Sequence, residues 1–205
     1  MDRIIKVCGI TSKTDLSLLP KEVSHLGFIF YKKSPRSVDK VITVPYGVKK
    51  VGVFVNPTQQ EVEEAISTHQ LDILQFHGAE EVNFVAHFRA TGKEIWKVIA
   101  LKDSYAKASF DKYDDVCDKF LIDYKSASYG GVGEKFNWDL LNNYHLSKPL
   151  IVAGGISPQD ANEVSILFKN FPFVKGVDIN SKFEVEPGLK NIKLISSFTS
   201  KLTPQ

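Results

Sequence analysis

The sequence predicts an α/β protein folded as a single (β/α)8 barrel of the TIM type over residues 1–205, and three observations lead there. Short apolar runs recur every roughly 22 to 28 residues, longer amphipathic stretches separate them, and polar residues and glycines gather just after the runs. The runs are Ile4–Val7, Leu26–Phe30, Lys50–Val55, Ile73–Phe76, Ile95–Ile99, Phe120–Ile122, Leu150–Val152 and Val174–Val177. They are brief, almost uninterrupted and rich in Val, Ile, Leu and Phe, as strands covered on both faces must be.

Between them, three stretches carry helix-start signals. Thr58 precedes Glu61–Ser67, Ser157-Pro158 opens Gln159–Phe168, and Pro187-Gly188 precedes Leu189–Phe198. A Ser or Thr side chain accepts a free N–H of the first turn, and Pro has no N–H to leave unpaired there. Alternation without a Pro-, Gly- or Ser-rich linker means one parallel sheet and no domain boundary. An open doubly wound sheet is the alternative, but it uses fewer strands and one dominant glycine-rich turn.

The composition, 43% hydrophobic and 24% charged with a net charge of +2, is that of a globular protein with a full core. Basic residues are spread along the chain, which argues against nucleic acid or a membrane surface as partner. No apolar stretch approaches the length of a membrane span, and Met1–Val7 is too short and too charged for a signal peptide. Cys8 and Cys117 lack framework spacing, so a reduced, cytoplasmic protein without disulfides is expected. The histidines and cysteines show no metal-ligand spacing, and no structural zinc is expected. A monomer is expected, with a homodimer as the alternative.

A barrel carries its chemistry on the loops after the strands. Run 1 ends in Cys8-Gly9, run 2 leads to Ser34-Pro35-Arg36, run 3 to Asn56, and run 4 to His77-Gly78. Run 6 ends at Asp123, ahead of the glycine-rich loop 129–133. Run 7 ends in Ala153-Gly154-Gly155, and run 8 in Asp178-Ile179-Asn180-Ser181.

Gly154 and Gly155 let backbone N–H groups approach an anion, and the loop after run 8, with a short helix, adds donors for a phosphate. Asp123 is a candidate general acid and Arg36 a candidate bidentate carboxylate clamp. His77 reads as a structural residue fixing its loop, and Cys117, ahead of a strand, has no assigned role. A buried small hydrophobe is the commonest fate of an unpaired Cys such as Cys8.

Read in order, the motifs resemble the phosphoribosylanthranilate isomerase family. They are Lys6-Val7-Cys8-Gly9-Ile10-Thr11, Gly27-Phe28-Ile29-Phe30-Tyr31 with Ser34-Pro35-Arg36, Val51–Asn56, and Gln75-Phe76-His77-Gly78. They continue through Leu121-Ile122-Asp123, residues 129–133, Phe136-Asn137-Trp138, Gly154-Gly155-Ile156, Gly176-Val177-Asp178 and Pro187-Gly188-Leu189-Lys190.

The resemblance implies an Amadori rearrangement of N-(5-phosphoribosyl)anthranilate, with Asp123 as acid and Cys8 as thiolate base. Arg36 would bind the anthranilate carboxylate. Gly154, Gly155, Asp178, Asn180 and Ser181 would form the substrate-binding set, with backbone groups around the phosphate. A small phosphosugar is thus the expected partner. The chain departs from the family's usual strand 8 exit at Lys182, where Gly is common, and from its closing motif Pro187–Asn191 at Asn191, where Asp is common.

A thiol of ordinary pKa, about 8.5, is only a few per cent ionised at neutral pH. Lys6, two residues before Cys8 on the same strand face, is expected to favour its thiolate. Two rivals stand beside this reading. The related histidine-pathway aminoaldose isomerase performs the same rearrangement with an Asp at the position of Cys8. A catalytically silent phosphosugar-binding barrel would not need both Cys8 and Asp123.

Overall fold

The computed structural model describes residues 3–101, 107–124, 138–143 and 146–202. Eight strands, β1 (Ile4–Cys8), β2 (His25–Ile29), β3 (Lys49–Phe54), β4 (Ile73–Phe76), β5 (Glu94–Leu101), β6 (Lys119–Tyr124), β7 (Leu150–Ala153) and β8 (Val174–Ile179), pair in that order. All eight pairings are parallel, and β8 returns to β1 to close a (β/α)8 barrel. Each predicted run lies on one strand, within a few residues at each end.

The two-residue period of a strand sorts side chains into two layers. On β1, Ile5 and Val7 face out into the large cluster beneath the helices, while Ile4 and Cys8 face the barrel interior. Val51, Val53, Ile73, Trp96, Val98, Leu121, Ile151 and Ala153 fill that interior with Cys8. The interior is therefore a packed core, with a cavity at the carboxyl ends of the strands. Phe54, Phe76, Phe88, Phe120 and Phe198 occupy the outer layer, each fully buried.

The α-helices are α1 (Gln59–His69), α2 (Val82–His87), α3 (Lys107–Tyr113), α4 (Ala161–Asn170) and α5 (Ile192–Leu202). The Thr58 hydroxyl accepts from the Glu61 N–H and the Glu61 carboxylate returns to the Thr58 N–H, a reciprocal cap at the start of α1. Over the 3-10 turn Pro158–Asp160, which runs directly into α4, Asp160 Oδ2 accepts from the Ser157 N–H and hydroxyl at 2.8 and 2.7 Å.

Strand–helix alternation is incomplete. The β1–β2 connection holds only a 3-10 turn, Leu16–Leu18, and residues 30–48 join β2 to β3 without a helix.

The third helix start also falls elsewhere than expected. Leu189–Lys190 (β10) pairs antiparallel with Glu184–Glu186 (β9), and α5 begins only at Ile192. Long-range bonds hold this hairpin: Thr11 Oγ1 and Thr14 Oγ1 donate to the Gly188 carbonyl at 2.7 and 3.1 Å. The Lys190 N–H donates to Thr14 Oγ1 at 3.1 Å. Asn191 then caps α5, its Oδ1 accepting the Leu194 N–H at 3.2 Å.

Candidate active site

A cavity of about 230 Å³ opens at the carboxyl ends of the strands, lined by Cys8, Ile29, Val53, Gln75, His77 and Asp123. Residues 153–156, Asp178 and the segment 180–182 complete it. It brings together seven of the eight residues expected to form the site: Cys8, Asp123, Gly154, Gly155, Asp178, Asn180 and Ser181. The glycine-rich loop 129–133 and Phe136-Asn137 lie outside the described residues.

Cys8 ends β1 with its thiol turned inward and buried. Lys6, one pleat below, is completely buried, and its Nζ donates to Asp178 Oδ2 at 2.7 Å. Register explains this pair, because Lys6 and Asp178 are partners across the β1–β8 seam. Gly27 supplies the room: a Cβ there would stand 2.8 Å from Cys8 Sγ and 3.0 Å from Lys6 Nζ. Thiol and ammonium thus meet over a position that only Gly leaves open.

Burial pushes the Cys8 thiol up, and the Lys6 ammonium, hydrogen-bonded to it, is the largest opposing influence. Lys6 therefore acts in the expected sense, yet in the free protein desolvation prevails and the thiol stays above its ordinary value. Burial disfavours the Lys6 charge as well, but Asp178 and Cys8 outweigh it and hold the ammonium above its ordinary pKa.

Asp178 lies within its strand, since β8 continues through Ile179. The reason is the seam: pairing of Lys6 with Asp178 and Val7 with Ile179 carries the strand two residues past its apolar run. Asp178 faces the cavity from within the barrel wall, tied to Lys6.

Asp123 likewise belongs to its strand, paired with Ala100 and Ala153 on either side. His77 Nε2 lies 3.1 Å from Asp123 Oδ2, and both side chains are largely buried. His77 thus joins the candidate acid in addition to shaping its own loop. The loop is fixed from behind. Glu80 Oε1 accepts the N–H groups of Asn56 and Gly78, while Glu80 Oε2 pairs with the buried Lys97 at 3.1 Å. Lys97 Nζ also donates to the Phe76 and Gly78 carbonyls, locking the β3 and β4 exits on either side of His77.

Arg36 stands beside the cavity rather than in its wall. Its Nε donates to both Glu184 oxygens at 3.0 and 2.9 Å, and Nη2 to Oε2 at 2.6 Å. That is one edge of the guanidinium fork. The edge formed by Nη1 and the second Nη2 proton is the one a ligand carboxylate would take.

Glu184 also accepts from Lys190 Nζ at 2.7 Å and from the Gly188 N–H at 3.1 Å. Its burial would raise its pKa, but Arg36 and Lys190 hold it below the ordinary range. Lys190, itself buried, donates also to Asn180 Oδ1 at 2.8 Å and so braces the β8 exit.

The sequence assigned no role to Glu184, Lys190, Glu80 or Gln75, although Lys190 and Gln75 stand inside the motifs that carry the resemblance. Glu184 sits in a charged stretch with nothing local to distinguish it. Gln75 did leave a signal: it is the lone polar residue in a fully buried strand.

At the β7 exit, Gly154 and Gly155 both adopt positive φ, 88° and 69°, a backbone conformation open to glycine, and both line the cavity. The short helix expected after strand 8 is one 3-10 turn, Ser181–Phe183. Lys182 lines the same rim. Among the described residues, no group of three or more His, Cys, Asp or Glu is arranged to hold a metal ion, and no helix is long and apolar enough to cross a membrane.

Residues 5–201 match the sequence profile of the family described as N-(5'phosphoribosyl)anthranilate (PRA) isomerase. The N-(5'-phosphoribosyl)anthranilate isomerase of Petrotoga mobilis is 37% identical over 206 residues, covering 97% of this chain and 96% of its own. That of Parabacteroides distasonis is 36% identical over 211 residues, covering 97% and 93%. Among solved structures, the phosphoribosyl anthranilate isomerase of Thermotoga maritima superposes with a TM-score of 0.79 at 26% identity, over 98% of each chain.

Proposed function

This chain belongs to the N-(5'-phosphoribosyl)anthranilate isomerase family, and from that premise we propose that Cys8 and Asp123 carry the proton transfers of its reaction. It is an isomerase of tryptophan biosynthesis, converting N-(5-phosphoribosyl)anthranilate to 1-(2-carboxyphenylamino)-1-deoxyribulose 5-phosphate. The observation that carries the residue roles is a single cavity holding a thiol on β1, a carboxyl on β6 and paired glycines after β7.

Asp123 gives its proton to the ribose ring oxygen. The C1–O bond breaks as the anilino nitrogen lone pair forms a C1=N iminium. The Cys8 thiolate then takes the proton from C2. The electrons of that C–H bond become the C1=C2 double bond, and the iminium pair returns to nitrogen, leaving an enolamine. Loss of the enol proton from O2 and gain of a proton at C1 complete the ketose. The substrate nitrogen serves as electron reservoir throughout, so this route calls for no metal or organic cofactor.

The cavity's charges fit these steps. The iminium is a cation that forms beside Cys8, so it lowers the cost of thiolate at the moment a base is needed. Lys6 adds to the same effect, and its pairing with Asp178 keeps the ammonium in place. Arg36, oriented by Glu184, presents its second edge to the anthranilate carboxylate. The N–H groups around Gly154, Gly155, Asn180 and Ser181 hold the phosphate, with Lys182 adding charge at the rim.

Both cysteines carry free thiols, which suits the reducing cytoplasm as the site of action. A monomer is the proposed state. Among the described residues, its large exposed apolar side chains, Leu18, Val41, Tyr46, Ile166 and Val185, come from separate segments of the chain, and sedimentation at micromolar concentration tests it.

The residue roles are tested by isomerase turnover of freshly generated phosphoribosylanthranilate. Cys8→Ala and Asp123→Asn are each expected to lose about 10²- to 10⁴-fold in kcat/KM, the usual worth of a general base or acid. Turnover within tenfold of wild type in both variants would overturn the assignment.

A further inference from the structure

Gln75 is the one polar side chain of β4, whose four residues are all buried. By strand alternation it faces inward with Ile73, and it lines the cavity with Cys8, Asp123 and Asp178. Its Oε1 is buried and has no hydrogen-bond partner. A buried acceptor left unpaired costs about 1–3 kcal/mol, whereas an apolar side chain of the same shape there costs nothing of the kind. Val53 and Val98, inward-facing on the flanking strands, show that the barrel fills such positions with apolar groups. A second wall atom, Asp178 Oδ1, is unpaired in the same way. Unmet hydrogen-bonding capacity at this cavity is what a site completed by its ligand leaves behind.

Position narrows the group that completes it. In the closed order of strands, β4 lies three strands from β1 and two from β6. Gln75 therefore looks at whatever sits between Cys8 and Asp123, which is the sugar. The substrate's phosphate and carboxylate are acceptors only and cannot satisfy Oε1. Their holding groups also lie elsewhere, around the β7 and β8 exits and at Arg36. The donors left are the sugar hydroxyls and the anilino N–H.

We propose that Gln75 is a positioning residue whose amide oxygen accepts a hydrogen bond from a sugar hydroxyl of the substrate, holding C2 against Cys8. This rests on the isomerase reading above. The terminal amide torsion of Gln is soft, so Oε1 turns to a donor without moving the backbone. A neutral amide also suits the place, because a carboxylate beside Cys8 would oppose its thiolate.

The test compares two ligands on wild type and on Gln75→Met, with Gln75→Leu as a second variant. One ligand is the product, 1-(2-carboxyphenylamino)-1-deoxyribulose 5-phosphate. The other is 5-(2-carboxyphenylamino)pentyl phosphate, which keeps the phosphate, anilino nitrogen and carboxylate but has no sugar hydroxyl. The variant is expected to bind the product about 10- to 100-fold more weakly and the hydroxyl-free ligand within twofold of wild type. Its kcat/KM is expected to fall in step with product affinity, and its thermal midpoint to stay level or rise, since an unpaired buried acceptor is gone.

Equal weakening towards both ligands assigns Gln75 to the anilino N–H or to structure alone and overturns the proposal. So does product affinity within twofold of wild type. Wild-type protein unable to turn over phosphoribosylanthranilate would overturn the isomerase reading itself, an outcome separate from either of these.

Discussion

The two ends of the barrel contain similar groups under opposite conditions. At the base, around the first residues of the strands, polar groups pair with one another within the protein. Trp96 Nε1 donates to Glu94, which also pairs with Lys119, and His25 Nδ1 lies 2.8 Å from Ser24 Oγ. His25 packs on the Trp96 ring at 5.4 Å and stays neutral, its pKa lowered by burial to about 4. Cys117, just before β6, is a buried thiol pushed up to about 12 by desolvation. At the mouth, Cys8 is as buried as Cys117, but it has an ammonium against it and an open cavity in front. There Gln75 Oε1 and Asp178 Oδ1 are unpaired. The base spends its polar groups on stability, and the mouth keeps some of them for a ligand.

The comparison breaks first at the two thiols. Cys8→Ala is expected to remove about 10²- to 10⁴-fold of kcat/KM, while Cys117→Ala changes it by less than about twofold. Comparable losses from both would mean that Cys8 acts only by packing.

Next in size is Lys6→Met. With its partner gone, Asp178 is a buried carboxylate without a counter-charge, and stability is expected to drop by about 3–5 kcal/mol in chemical denaturation. The Cys8 titration, followed by thiol alkylation against pH, is expected to move further up, and kcat/KM at neutral pH to fall about tenfold or more. An unchanged titration midpoint would show that Lys6 holds the wall together but does not tune the base.

Glu184→Gln sharpens the picture at the rim. Arg36 keeps its charge but loses its ionised partner, so KM is expected to rise about 5- to 20-fold with kcat changed far less. A fall confined to kcat would remove Arg36 from carboxylate binding.

Two smaller effects concern stability at the base, and their signs differ. The folded pKa of Cys117 is raised, so its contribution is complete below the ordinary thiol value and is lost as pH rises towards about 12. Cys117→Ala should therefore flatten the alkaline fall in stability. The folded pKa of His25 is depressed, so its contribution is complete above the ordinary value of 6.5 and is lost as pH drops towards about 4. Urea unfolding of wild type and His25→Leu over that window should differ by about 1–3 kcal/mol in the size of the acid loss. Identical pH profiles would place His25 in solvent contact.

Much of this was written locally. The apolar runs located all eight strands, because a strand covered on both faces must be continuous in apolar residues. Cys8, Asp123 and Gly154-Gly155 were legible as strand-end residues because a barrel puts its strand ends in one place. Thr58 and Ser157 marked helix starts through contacts only three residues long. The Pro187-Gly188 signal failed because Thr11 and Thr14, more than 170 residues away in sequence, pull Gly188 and Lys190 into a hairpin.

Sequence alone thus determined the barrel, the end that carries chemistry, and the thiol and carboxyl facing that end. Only the tertiary structure decided what stands beside them. Lys6 and Asp178 are 172 residues apart and meet because β8 closes onto β1 in one register; Arg36 and Glu184, 148 apart, meet through the turn after β8. Periodicity reports which way a side chain points, since that depends on its own backbone. Which charge it meets depends on closure and register, and those belong to the whole chain.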